Sequence, residues 1–163
     1  NEILQLHLTD IKQEGGIHYY DLTEGAGKRF KTASSQRRIP IHHKIIEAGF
    51  LEFIAMRKAK RSSKDQLFLE VKPDTYGSYG KATSDSFTEL LKHLGIKHEK
   101  NSFHSFRHTF QDGCRNSGVP LEVMKALQGH SDAGVSSDYG SGVSLEVLNK
   151  ELQKVSYGGL TFN

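Results

Sequence analysis

Residues 103–114, FHSFRHTFQDGC, place two histidines and an arginine, His104, Arg107 and His108, inside an apolar frame with helical spacing. The pattern predicts a helix from about Ser105 to Asn116, ended by Gly118. Arg107 then lies in the first turn, where unpaired backbone N–H groups and the positive end of the helix favour an anion. A guanidinium there adds five fixed donors that fit a phosphate bidentately. His104, just ahead of the turn, can face the same ligand. The plainer alternative is a surface arginine paired with a carboxylate beside two solvated histidines, and the local sequence leaves both open. His104 and His108 also have the i, i+4 spacing of a zinc-binding pair. HSFRH lacks the glutamate of a protease motif, no third ligand stands at a suggestive spacing, and Arg107 between the histidines repels a cation. No metal and no cofactor are expected.

The rest of the chain sets the context. Its 163 residues suffice for one domain with a real core. A hydrophobic content of 36% with 25% charged residues fits a globular chain and excludes a disordered one. No apolar run reaches the roughly 20 residues that span a bilayer, and no signal-peptide pattern opens the chain. The lone cysteine, Cys114, rules out an intrachain disulfide and reads as a small core residue, so an intracellular setting is the default. A net charge of +3, from 22 Lys and Arg against 19 Asp and Glu, permits nucleic-acid binding without requiring it. Nine histidines are candidate proton carriers near neutral pH.

Along the chain, NEILQLHLTDI opens in mid-pattern: Ile3, Leu4 and Leu6 read as the end of an amphipathic helix with no cap before it. The expectation is a chain that begins inside a larger protein. IKQEGGIHYYDLTE reads as a strand, and TEGAGK as a turn. KRFKTASSQRRIPIH reads as two short strands around ASSQ, with Pro40 confining the last to a sheet edge. Residues 43–59 read as one helix, with Ile46, Phe50, Phe53 and Ile54 on one face. KAKRSSKD is a charged loop, QLFLEV a short extended piece and DTYGSYG a turn-rich connector. Phe87, Leu90, Leu91 and Leu94 mark a helix stopped by Gly95. Leu121, Met124 and Leu127 mark another, opened by Pro120 and closed by Gly129. Leu145, Leu148, Leu152 and Val155 mark the last. The fold class is α+β: a mostly helical domain with a small three-stranded antiparallel sheet near the N-terminus.

A second cluster, LQGHSDAGVSSDYG at 127–140, leaves His130 projecting from a turn, with Tyr139 nine residues on. A free tyrosine has a pKa of about 10 and is a poor nucleophile. It becomes useful where cationic donors stabilise a pentavalent phosphate and another group takes its proton. Such donors are what the His104–Arg107 turn supplies.

The ordered set His104-Ser-Phe-Arg107, Leu127-Gln-Gly-His130 and Tyr139 resembles the tyrosine recombinases, the phage-integrase class. FKTASSQRRIPIH is similar to the family's β2–β3 hairpin, with Lys31 as its lysine and Lys28 as the nearest competitor. NEILQLHLTDI resembles the segment after the family's first catalytic arginine, and YGSGVSLEVLNKEL the helix after the nucleophile. The resemblance covers nearly the whole chain, and it implies a division of labour. Tyr139 attacks a scissile DNA phosphate, giving a 3′-phosphotyrosyl link and a free 5′-hydroxyl. Arg107 holds non-bridging oxygens, His130 donates a further hydrogen bond, His104 assists proton transfer from the tyrosine, and Lys31 protonates the leaving oxygen. It also implies double-stranded DNA as partner, a homotetramer on DNA with exchange of C-terminal tails from about Tyr157, and no metal, cofactor or membrane. The setting is cytoplasmic, on DNA, in a bacterial, phage or other mobile-element protein.

The family's first arginine falls before Asn1, outside the chain, and neither Arg29 nor Arg37 stands in the context to replace it. Loss of one such donor typically costs on the order of 10²–10³ in rate. The 163 residues are therefore expected to be a single catalytic domain, impaired on its own and lacking the family's upstream DNA-clamping domain. Its partial set of phosphate contacts makes DNA binding modest and steeply salt-dependent. Arg37, Arg38, Lys58, Lys60 and Arg61 are candidates for the DNA backbone or for solvent, and His42 and His43 for a helix-start loop. Two other readings share the sequence: strand relaxation of the type IB topoisomerase kind, and a non-catalytic DNA-binding module that keeps the fold.

Overall fold

The computed structural model describes residues 2–23, 28, 35–60, 66–130 and 142–159. Lys31, Arg61, Tyr139 and the tail from 160 onward lie outside the described residues. The architecture is the expected α+β one. Strands β1 (Ile11–Glu14), β2 (Ile17–Leu22) and β3 (Arg37–Pro40) form an antiparallel sheet in the order β1-β2-β3. IKQEGGIHYYDLTE is thus a hairpin and not one strand. Its register runs from Ile11 opposite Tyr20 to Glu14 opposite Ile17. Gly15 and Gly16 turn the chain with φ of 56° and 80°. That two-residue loop needs positive φ at both positions, which glycine adopts without a steric cost. Pro40 lies on β3, at the sheet edge among the described strands, opposite Tyr19.

The opening segment differs from its predicted helix. Residues 2–5 form turns, and Leu8–Asp10 a short 3-10 helix. The Asp10 carboxylate accepts the His7 backbone N–H at 2.7 Å, a local bond that competes with helical pairing. QLFLEV likewise reduces to a bridge between Gln66 and His7, with Leu67 N–H donating to the Leu6 carbonyl at 2.7 Å.

Six helices follow among the described residues. Residues 43–59 are split into α1 (His43–Glu47) and α2 (Phe50–Ala59), because Gly49 takes a left-handed φ of 87° between them. Helix α3 (Gly80–His93) starts well before its apolar stripe. That stripe is largely uncovered: Leu91 is buried, whereas Leu90 and Leu94 are exposed. Helices α4 (Ser105–Asn116) and α5 (Leu121–Gln128) keep their predicted bounds, and α6 (Leu145–Leu152) is N-capped by Ser144.

Two apolar clusters organise these elements. Cys114, Val119, Val123, Met124, Leu127, Leu148, Leu152 and Val155 join α4, α5 and α6. Leu6, Leu22, Ile54 and Leu67 join the sheet to α2. Ile39 on β3 packs against both, so the sheet is the wall between them. The segment after α6 is clasped to the start of α1. Gln153 Oε1 accepts from the His43 N–H at 2.8 Å, Gln153 Nε2 donates to the Ile41 carbonyl at 3.2 Å, and His42 Nε2 bonds the Val155 carbonyl at 3.0 Å. Tyr157 then packs on α4, where a Cβ at Gly113 would lie 2.9 Å from its hydroxyl.

The two nitrogens of His42 are both engaged: Nδ1 accepts the Lys44 N–H at 3.2 Å, so Nε2 carries the proton that meets Val155. Burial first, and then the neighbouring His43, lower its pKa below 6.5. The folded state therefore holds the neutral ring more strongly than the unfolded chain does. Its contribution is complete above about pH 6.5 and is lost as pH falls from there through the folded-state value. Thermal unfolding followed from pH 7.5 to pH 5 should show a falling midpoint, and His42→Gln should flatten that slope.

Candidate active site

Helix α5 ends in a Schellman turn: His130 N–H donates to the Lys125 carbonyl at 3.0 Å, and Gly129 N–H to Ala126 at 3.2 Å. Gly129 takes the left-handed conformation, with φ 66° and ψ 37°. The turn satisfies two of the helix's terminal carbonyls and leaves those of Leu127 and Gln128 needing donors. Arginines from two other elements supply them. Arg107, in the first turn of α4, donates from Nη2 to the Gln128 carbonyl at 3.0 Å. Arg37, on β3, donates from Nε to the Leu127 carbonyl at 2.9 Å.

Arg107 Nη2 also donates to His130 Nε2, which fixes the histidine as the neutral Nδ1–H tautomer. The HxxR and LxGH elements, 23 residues apart, thus meet side chain to side chain. Both contacts use one nitrogen of the guanidinium, and among the described residues Nη1 and Nε carry no partner. His104 stands at the N-cap position of α4, exposed, its ring edge-on to His108 at 5.3 Å between centroids. Among the described residues no third potential ligand joins that histidine pair.

A cleft of about 320 Å³ opens beside this junction, with Arg37, Arg38, Gly129, His130 and Gly142 in its wall. Arg37 is held rigidly there. It pairs with both oxygens of Glu2, at 2.8 and 3.2 Å, and donates to the Ser35 carbonyl at 2.6 Å. Its side chain is thus 12% exposed and bonded to protein partners on several sides. Arg38 is exposed and pairs with Glu14 at 3.0 Å, near the Tyr19 ring. Lys58 and Lys60 are exposed at the end of α2. Lys28 is half-buried, with its side chain 6% exposed and its ammonium 2.6 Å from the Asp10 carboxylate.

Two polar residues of this junction, the buried Gln128 and its half-buried partner Gln111, escape a reading based on charge. The Gln128 side chain is only 6% exposed although it is polar. A signal does exist in the sequence: Gln128 follows Met124 by four residues and falls on the buried face of α5 with Val123, Met124 and Leu127. Leu121, which the apolar pattern included, is exposed instead.

The electrostatics follow from the geometry. His130 is exposed as a residue, yet its pKa is lowered, first by partial desolvation of the ring and then by Arg107, Arg37 and Lys125. It is neutral at pH 7. An NMR titration should find its midpoint below 6.5, and Arg107→Ala should raise that midpoint by removing the nearest cation; a midpoint at or above the ordinary value in the unsubstituted protein would contradict the contact.

Comparison with known proteins places the chain in a family. The model of the phage integrase family matches residues 1–141. Tyrosine recombinase XerD of Proteus mirabilis is 27% identical over 145 residues, a span of 85% of this chain and 42% of that protein. The chain thus covers about two fifths of the length of this curated relative. No solved structure gives a significant match. With that family's model matching most of its length, the chain belongs to the phage integrase family of tyrosine recombinases.

Proposed function

We propose that the chain is the catalytic part of a longer site-specific DNA recombinase that cuts and rejoins strands through Tyr139. The observation that carries this reading is the junction of Arg107, the Gln128 carbonyl and His130 at the helix ends. A phosphate entering there meets the Nη1 and Nε donors of Arg107, which carry no partner among the described residues, and can replace His130 as a partner of Nη2. Gly142 supports the same reading from the other side. It lies in the cleft wall with His130 and follows Tyr139 by three residues, which span at most about 11 Å.

In this mechanism the Tyr139 oxygen attacks phosphorus as its proton passes toward His104. Negative charge grows on the non-bridging oxygens, where Arg107 and His130 donate to it. The P–O5′ bond breaks, and the 5′-oxygen takes a proton from the Lys31 ammonium. The products are a 3′-phosphotyrosyl ester and a free 5′-hydroxyl. Attack by the 5′-hydroxyl of another strand reverses these steps and restores the tyrosine. One phosphodiester is exchanged for another, so the exchange requires no nucleotide hydrolysis. Lys28, the competing proton donor, is engaged by Asp10 with its side chain 6% exposed, and this favours Lys31. The natural assembly in this reading is a homotetramer on double-stranded DNA, with tail segments exchanged between protomers.

The test uses the protein extended upstream of Asn1 and a nicked suicide DNA. A covalent adduct should form, and Tyr139→Phe should abolish it; an adduct from that variant ends the assignment of the nucleophile. Arg107→Ala should slow adduct formation on the order of 10²–10³-fold. Strand exchange between two duplexes is the expected outcome with intact sites, and supercoil relaxation alone would indicate a topoisomerase instead.

Lys31→Ala should also slow cleavage, and a substrate with sulfur at the bridging 5′ position should restore it, because a thiolate leaves without a proton. Lys28→Met should lower thermal stability and leave that sulfur effect absent. The reverse pattern would transfer the proton-donor role to Lys28.

A further inference from the structure

A glutamine in the apolar heart of a helix junction needs a reason. Burying its amide is unfavourable unless every polar atom is bonded, and an apolar residue of similar volume would pack as well. Among the described residues, the side-chain bonds of Gln128 and the bond to its carbonyl all run to one stretch of α4. Its Oε1 accepts from Gln111 Nε2 at 3.0 Å. Its Nε2 donates to the Arg107 carbonyl at 3.4 Å, the longest of the set. Its own carbonyl receives Arg107 Nη2 at 3.0 Å. Arg107 and Gln111 are one helical turn apart, at i and i+4, and so lie on the same face of α4. Gln128 therefore binds both ends of a single turn and closes a ring through Arg107, whose carbonyl and guanidinium it both meets.

From this closed ring we infer that Gln128 is a positioning residue for Arg107, holding the guanidinium at the place where the scissile phosphate arrives. The inference rests on the reading of Arg107 as the phosphate-binding cation. The side-chain amide keeps the α5 terminus in register with the first turn of α4. That register puts the Gln128 carbonyl where Nη2 can reach it, so the remaining guanidinium donors project from a fixed point. With the amide removed, the carbonyl remains, but its alignment with α4 depends on apolar contacts, which have no direction. Gln111 plays the supporting part by orienting the Gln128 amide.

Gln128→Met keeps the volume and removes the amide. In the protein extended upstream of Asn1, at saturating suicide DNA, adduct formation should fall about 10- to 100-fold, as expected for a misplacement near 1 Å. DNA affinity should stay as it was. The His130 midpoint, read by NMR without DNA, should rise toward its ordinary value as Arg107 moves off the ring. A residue that serves packing alone would lower the melting temperature without moving that midpoint. Gln111→Met removes one of the bonds from a half-buried site and should shift both readouts in the same direction by less, which keeps the test open if Gln128→Met fails to fold. Wild-type adduct formation with an unchanged His130 midpoint in either folded variant overturns the inference. If Arg107→Ala stops the adduct while Gln128→Met does not, the positioning role alone falls; if Arg107→Ala reacts normally, the functional reading falls with it.

Discussion

The C-terminus of α5 is the feature on which the site depends. A helix ends with carbonyls that have no partner along the chain and with the negative end of its dipole. Here the Schellman turn meets the Lys125 and Ala126 carbonyls, and guanidinium groups from α4 and β3 meet those of Gln128 and Leu127. Two arginines that would repel each other in open solvent are thereby gathered around one turn. Glu2 offsets part of the charge of Arg37, whereas Arg107 has no carboxylate partner among the described residues. The outcome is a local surplus of positive charge with donors to spare, which suits a phosphodiester.

The two apolar clusters serve this end. Val123, Met124 and Leu127 seat α5 against α4 and α6, while Ile39 ties the same core to the sheet that carries Arg37. Leu127 contributes to both sides of the arrangement: its side chain is 4% exposed in the core and its carbonyl receives Arg37. Packing and charge placement are thus coupled within one residue. The same holds for the segment after α6, where Val155 is buried in the core and its carbonyl meets His42.

The neutral His130 follows first from partial desolvation of its ring and then from this gathering of cations. A histidine in their midst resists protonation, and Nε2 then accepts from Arg107. A ring held neutral can still give a hydrogen bond from its protonated nitrogen, and it avoids the cost of a further positive charge beside two guanidinium groups. In the proposed chemistry a phosphate would relieve the crowding and take over the Arg107 donor.

Much of this was legible in the chain. The bounds of α4 and α5 followed from local signals, the glycines at 118 and 129 and Pro120, because helix ends are decided by backbone conformation over a few residues. The HxxR and LxGH spacings identified the family, and Cys114 was readable as core. Local rules failed where a single residue could serve two structures. Gly15 and Gly16 sit inside an alternating pattern that continues on both sides of their turn, so the pattern alone does not mark the reversal. Gly49 lay inside a helical pattern that it breaks, and Leu8–Asp10 was governed by one side-chain bond from Asp10. What the sequence determined by itself was which residues could carry the chemistry and in what order. Only the tertiary structure decided which of them are committed. Arg37 is bonded to Glu2 and Leu127, Lys28 to Asp10, and Gln128 to Arg107 and Gln111, because each choice depends on which orphan polar groups other elements bring within hydrogen-bond reach.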